Sequence, residues 1–156
     1  MNLKVVKGKD KEILRTVCKP VEKFDKDLKN LAKDMIKVMH ASNGIGIAAP
    51  QVGIDARIFI GALKADTKNP KELVCVNPEV LYFGDKKVSA EEGCLSLPGV
   101  FGNVLRSDEI FVRFYDLKGK EMNLKLTGMD ARVFLHELDH LNGVLFIDHL
   151  EKPKVF

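Results

Sequence analysis

Residues 127–143 read TGMDARVFLHELDHLNG, and this stretch decides how the rest of the chain is read. Thr127, followed three residues later by Asp130, has the pattern of a capping box, and Asn142-Gly143 is a stop signal. The stretch is therefore predicted to form a long helix. Within it, His136-Glu137-Leu138-Asp139-His140 has the form HExxH. Helix residues four apart share a face, so the two imidazoles can grip one metal ion. Glu137 lies close enough to take a proton from water at that ion. The same helix carries Val133, Phe134, Leu135 and Leu138, and two imidazoles on a largely apolar helix need polar partners.

A catalytic metal site needs a third protein ligand and an open position. Nothing downstream of His140 offers that ligand in a known protease pattern. Phe146 stands where HExxHxxGxxH would place its third histidine, and Glu151 is the sole glutamate among the last 16 residues. Upstream, EEGCLSLPG (residues 91–99) places Cys94 at a strand end, and its thiolate would complete a Cys-His-His set. Cys18 precedes Lys-Pro and Cys75 lies in the apolar run LVCV, where a cysteine acts as a small buried hydrophobe. His40 and His149 lack a spaced partner. Three cysteines without a CxxC pair argue against a disulfide framework and fit a reducing compartment.

Further upstream, residues 25–41 (DKDLKNLAKDMIKVMHA) repeat apolar residues at steps of three or four, with Asp25 as N-cap and a stop near Asn43-Gly44. GIGIAAPQVG then reads as a loop entering a short extended segment. ARIFIG, ELVCVN, EVLYFG, KKVSAE, EIFVRFYD and EMNLKLTG read as short strands, with DLKGKE as a hairpin turn. VLFID, residues 144–148, reads as a last short strand. One helix, many strands and one helix is an α+β order. The expectation is antiparallel or mixed β-sheets around a central C-terminal HExxH helix, with an N-terminal helix.

With 156 residues, the chain is expected to be one domain, 1–156. It is 46% hydrophobic and 30% charged, which argues against disorder, and no run approaches the roughly 18 apolar residues of a membrane span. The N-terminus lacks the apolar core of a secretory signal. Residues 1–40 hold 11 bases and 6 acids, a local charge of +5 in a chain of net +3. Only five of the bases are arginine, so sequence-specific nucleic acid binding is not expected.

Three segments in order, Gly44-Ile45-Gly46-Ile47-Ala48-Ala49-Pro50-Gln51, Glu92-Gly93-Cys94-Leu95-Ser96 and His136-Glu137-Leu138-Asp139-His140, resemble the signature motifs of peptide deformylases. ILR…CKPVEKFD and the closing HLNGVLFID resemble that family too, so the likeness covers nearly the whole chain. SLPGVFGNVLR is most similar to the bacterial and organellar type-1 members. The resemblance implies hydrolysis of the formyl group from formyl-methionine at the start of new proteins, releasing formate. It makes Cys94, His136 and His140 the metal ligands and Glu137 the general base and acid. Gln51 and the Leu95 backbone N–H would face the oxyanion, and Ile45 and Gly46 would bind the peptide backbone. The implied cofactor is one divalent ion, ferrous iron in the cell, with zinc, nickel or cobalt able to replace it. The implied partners are N-formyl-Met nascent peptides, with a weak electrostatic ribosome contact and no membrane, and a monomer is favoured. The compartment would be a bacterial-type cytoplasm, an organelle or a phage-infected bacterial cytoplasm.

Leu135 stands where many members carry Gln. Many bacterial members also continue into a further helix that in some aids ribosome docking. The eight residues after Asp148 are too few for one, so a compact form lacking a long C-terminal helix is expected. Arg106, where deformylases commonly hold an arginine, is expected to pair with Glu92 and fix the loop that presents Cys94. Two other classes compete with this reading: an HExxH metalloprotease or other metal amidohydrolase, and a non-catalytic metal-stabilised binding module. The missing downstream ligand counts against the first, and Glu137 would have no task in the second.

Overall fold

Asp25 begins the first long element as its sequence predicts: its carboxylate accepts a hydrogen bond from the Leu28 N–H at 3.1 Å. In the computed structural model, which describes residues 2–64 and 71–150, helix α1 then spans Lys26–Ala41. Leu28, Ala32, Met35 and Met39, at helical spacing, form its buried stripe against Ile47, Ile58 and Ile60. The chain leaves the helix through Asn43, at φ 55, and enters β1 (Gly46–Ala48).

Six further strands follow: β2 (Ile58–Leu63), β3 (Lys71–Phe83), β4 (Lys87–Cys94), β5 (Leu97–Ser107), β6 (Glu109–Tyr115) and β7 (Glu121–Thr127). One five-stranded sheet has the order β1-β2-β3-β6-β7, and β4-β5 form a separate hairpin. Every strand pair is antiparallel, which narrows the antiparallel-or-mixed expectation. Helix α2 (Gly128–Leu141) follows β7 and packs on β1 and β2, with Phe134 edge-on to Phe59 at 5.0 Å. No described helix is long and apolar enough to cross a membrane.

Three local expectations change, and one strand, β5, is new. ELVCVN and EVLYFG are halves of one strand, β3, with a register shift at Asn77-Pro78. Pro78 has no N–H for the ladder, and Asn77 instead exchanges two hydrogen bonds with the Val21 backbone. SLPGVFGNVLR, rich in turn residues, lies almost wholly within β5. Thr127 is the N-cap of α2, but its side chain makes no capping bond, and the Asp130 carboxylate accepts from the Lys64 N–H instead.

VLFID is not a strand. Phe146–His149 form a 3-10 turn, because the Asp148 carboxylate accepts from the Leu145 N–H at 3.0 Å and pairs with Arg15 at 2.6 Å. Its apolar residues are nonetheless buried: Leu145 and Phe146 pack with Leu14, Leu97 and Val104. The question of a long C-terminal helix falls on residues 151–156, outside the described residues. Phe146 also stacks on His136, with ring centroids 6.2 Å apart, so this turn supports α2 and the hairpin together. Phe146→Ala should destabilise the protein by about 3–5 kcal/mol, read as a drop in the urea midpoint. An unchanged midpoint would remove the turn from the core.

Candidate metal centre

Three backbone settings deliver the side chains of the centre. His136, Glu137 and His140 stand on α2, and the two imidazoles lie 5.1 Å apart between centroids. Cys94 ends β4 at the turn into β5, and Gln51 sits in the 3-10 turn Ala49–Val52 directly after β1. The Cys94 Sγ lies 3.4 Å from the His140 Nε2. One donor atom each from Cys94, His136 and His140 fits within a 4.8 Å span. Bond lengths of about 2.3 Å to sulfur and about 2.0–2.1 Å to nitrogen put the S···N edge of a tetrahedral site at about 3.5 Å. The donor set therefore fits a divalent transition metal. No fourth His, Cys, Asp or Glu joins it among the described residues, which leaves the open position that catalysis needs.

The imidazole of His136 is oriented from behind. Its Nδ1 lies 2.8 Å from the Glu92 carboxylate. A carboxylate only accepts, so the proton is on Nδ1 and the Nε2 lone pair is left for the metal. The expected Arg106–Glu92 pair is present and buried, with bonds of 2.6 and 2.9 Å. Arg106 also donates to Asp139 at 2.9 Å. Arg132 adds a second cation, donating to Glu92 at 2.7 Å. Burial alone would raise the Glu92 pKa, but the bonds from Arg106 and His136 outweigh it and hold the carboxyl well below its ordinary range. Burial likewise opposes charge on His136, but Cys94 and Glu92 raise its pKa to about 10 in the metal-free protein. Protons therefore compete with metal for this ring.

Glu137 is buried, and burial raises its carboxyl to about 7. Its Oε1 has no hydrogen-bond partner among the described protein atoms. Gly46 makes room for it: a Cβ there would overlap the Glu137 carboxylate, so β1 can approach α2 only as glycine. The Gln51 amide is fixed by the Ala48 N–H, which donates to Oε1 at 2.9 Å. That bond turns Nε2 toward Cys94 Sγ at 3.4 Å and Ser96 Oγ at 3.3 Å.

These groups share a cleft of about 1070 Å³, which Ile45, Gly46, Gln51, Cys94, Leu95 and Glu137 help to line. His136 also faces it, whereas His140 is fully buried beside Cys94. Ile45, Gly46, Gln51, Cys94, Leu95, His136, Glu137 and His140 are thus brought together at one site. Cys18 and Cys75 are buried away from it. His40 and His149 do not join the donor set: the His149 Nε2 lies 2.9 Å from Asp139, and His40 pairs with Glu72. Arg132, Asp139 and Ser96 were not singled out. For Arg132 the signal was its place four residues before His136, on the same helix face.

Comparison with known proteins agrees with this geometry. The family model described as polypeptide deformylase matches residues 2–156. A peptide deformylase of Picosynechococcus is 44% identical over 90% of this chain and 75% of its own. A chloroplastic peptide deformylase 1B of rice is 41% identical over 95% of this chain and 55% of its own. The crystal structure of the Thermotoga maritima peptide deformylase superposes with a TM-score of 0.90 at 39% identity, covering 97% of this chain and 99% of that one.

Glu92→Gln would leave Arg106 and Arg132 buried without their shared anion and should cost about 3–5 kcal/mol at neutral pH. Because the folded-state pKa of Glu92 is depressed, its contribution is present above the unfolded value of about 4.3 and fades as pH falls through the folded one. Urea titrations of the two proteins should therefore converge in acid. Equal midpoints at pH 7 would show that this carboxylate does not hold the network.

Proposed function

The chain belongs to the polypeptide deformylase family, an enzyme that removes the N-formyl group from newly made proteins, and from that premise we propose how its own residues do so. Cys94, His136 and His140 hold one divalent metal ion. Thiolate with imidazole accepts several divalent transition metals; family membership implies ferrous iron in the cell, with zinc, nickel or cobalt able to take its place. When bound, the ion supplies a Lewis-acid centre and makes water a competent nucleophile near neutral pH.

Glu137 accepts the proton of the attacking water and returns it to the departing amine. Its desolvated setting suits both roles, since a carboxyl near neutrality can take and release a proton within one cycle. Charge then develops on the formyl oxygen. The Gln51 Nε2–H and the Leu95 backbone N–H stabilise it, Gln51 being held in that orientation by Ala48 before substrate arrives.

The peptide binds by strand addition. β1 is an edge strand of the five-stranded sheet, and Ile45 and Gly46 lie at the cleft. The Ile45 carbonyl is engaged with the Ala62 N–H at 2.7 Å on the inner side, so an incoming formyl-Met peptide pairs along the outer edge. The source of such peptides is bacterial-type translation, in a bacterial or organellar compartment. The Lys-rich N-terminal region gives a monomeric enzyme a weak contact with the ribosome that falls with salt.

The observation that carries this reading is the meeting of Cys94, from the hairpin, with the two imidazoles of α2. Glu137→Gln should keep its metal and lose about 10²–10⁴-fold in formate release. Gln51→Ala should lose about 10²–10³-fold. Cys94→Ala should lose the metal. Turnover should rise with pH along an acid limb set by Glu137. That limb lies below its metal-free value of about 7, because a nearby cation favours the carboxylate. Full activity of Glu137→Gln, or metal retained without Cys94, would overturn the assignment.

A further inference from the structure

The HExxH helix and the hairpin that carries Cys94 are separate elements, and the metal centre needs them at one fixed spacing. We propose that Arg132 is a positioning residue that sets this spacing by clamping α2 to both strands of the β4–β5 hairpin. The inference rests on the ligand assignment above.

Arg132 is buried and stands one helical turn before His136. Its Nη1 donates to the Glu92 carboxylate at 2.7 Å and to the Val104 carbonyl at 2.9 Å, and its Nη2 donates to the Val88 carbonyl at 2.7 Å. Val88 and Glu92 belong to β4 and Val104 to β5. One side chain of the helix therefore holds both strands of the hairpin. The planar fork matters: two nitrogens reach three acceptors in different directions, which the single nitrogen of a lysine does not.

A second arm runs the opposite way. Arg106, on β5, donates to Asp139 on α2. Arg132 and Asp139 lie seven residues apart on the helix, with His136 between them. Both arms converge on Glu92, which receives Arg106, Arg132 and His136. Loosening Arg132 would leave the hairpin, and Cys94 with it, tied to α2 only through the Glu92–His136 and Arg106–Asp139 bonds at one end, so Cys94 could shift relative to the imidazoles. The consequence is a change in metal affinity and ligand field, beyond any change in global stability.

The test uses the cobalt(II)-loaded protein, whose visible bands report ligand geometry and whose sulfur-to-cobalt charge-transfer band reports Cys94. Arg132→Lys keeps the charge and Arg132→Gln keeps part of the fork, and either suffices if it folds. Each should remain folded at the assay temperature by circular dichroism. Each should lose cobalt to a competing chelator about 10–100-fold more readily than wild type, with shifted bands. The kcat for a formyl-Met peptide should fall more than its KM rises. A folded variant with wild-type cobalt affinity and unchanged bands would overturn the clamp, as would metal loss that merely follows global unfolding. A wild-type protein without the sulfur band, or a Cys94→Ser protein that retains it, would overturn the ligand assignment and this inference with it.

Discussion

A single buried carboxylate, that of Glu92, ties the fold to the chemistry. It accepts two bonds from Arg106, one from Arg132 and one from His136, and its side chain is 5% exposed. Taking charges out of water is costly unless they are paired and hydrogen-bonded, and here the four bonds fill the acceptor sites of the carboxylate. Asp139 offsets the second guanidinium through Arg106. The cluster thus holds two cations against two anions, with His136 placed at its edge. The same bonds that make the burial tolerable decide which imidazole nitrogen faces the cleft.

Close approach is the second constraint. The carboxylate of Glu137 lies against the β1 backbone where Gly46 has no side chain, and this puts a desolvated acid beside an edge strand open to the cleft. A glycine at 46 therefore serves two ends: it admits the acid, and it leaves the strand edge close to the reacting groups. Gln51 follows in the next turn, its amide fixed by Ala48. The proposed substrate edge, base and oxyanion donor thus come from a run of seven residues and one helix face. Only Cys94 and the Leu95 N–H must be brought from elsewhere, which is the task of the hairpin.

Much of this was legible in the sequence where local rules govern. The Asp25 cap, the apolar stripe of α1 and the HExxH spacing depend on neighbours within a few residues, and all three appear as read. Cys94 is implied by the third ligand that the two histidines lack, and Arg106 by the family resemblance. The misses share a cause, since each depends on a distant partner. The turn-rich residues of β5 hide a strand that β4 completes, and Asp148 turns VLFID into a 3-10 helix with the help of Arg15. Thr127 makes no capping bond, while Asp130 serves Lys64. Arg132 escapes a reading by local rules, because its three acceptors are 28 to 44 residues away.

The central claim is that Cys94, His136 and His140 hold the catalytic ion together. X-ray absorption at the metal K-edge of the fully loaded, active protein tests it most directly. For the zinc form, the account predicts one sulfur neighbour at about 2.3 Å, two imidazole nitrogens at about 2.0–2.1 Å and a light-atom neighbour in the open position. A first shell without sulfur, or one closed by a fourth protein ligand, would contradict it.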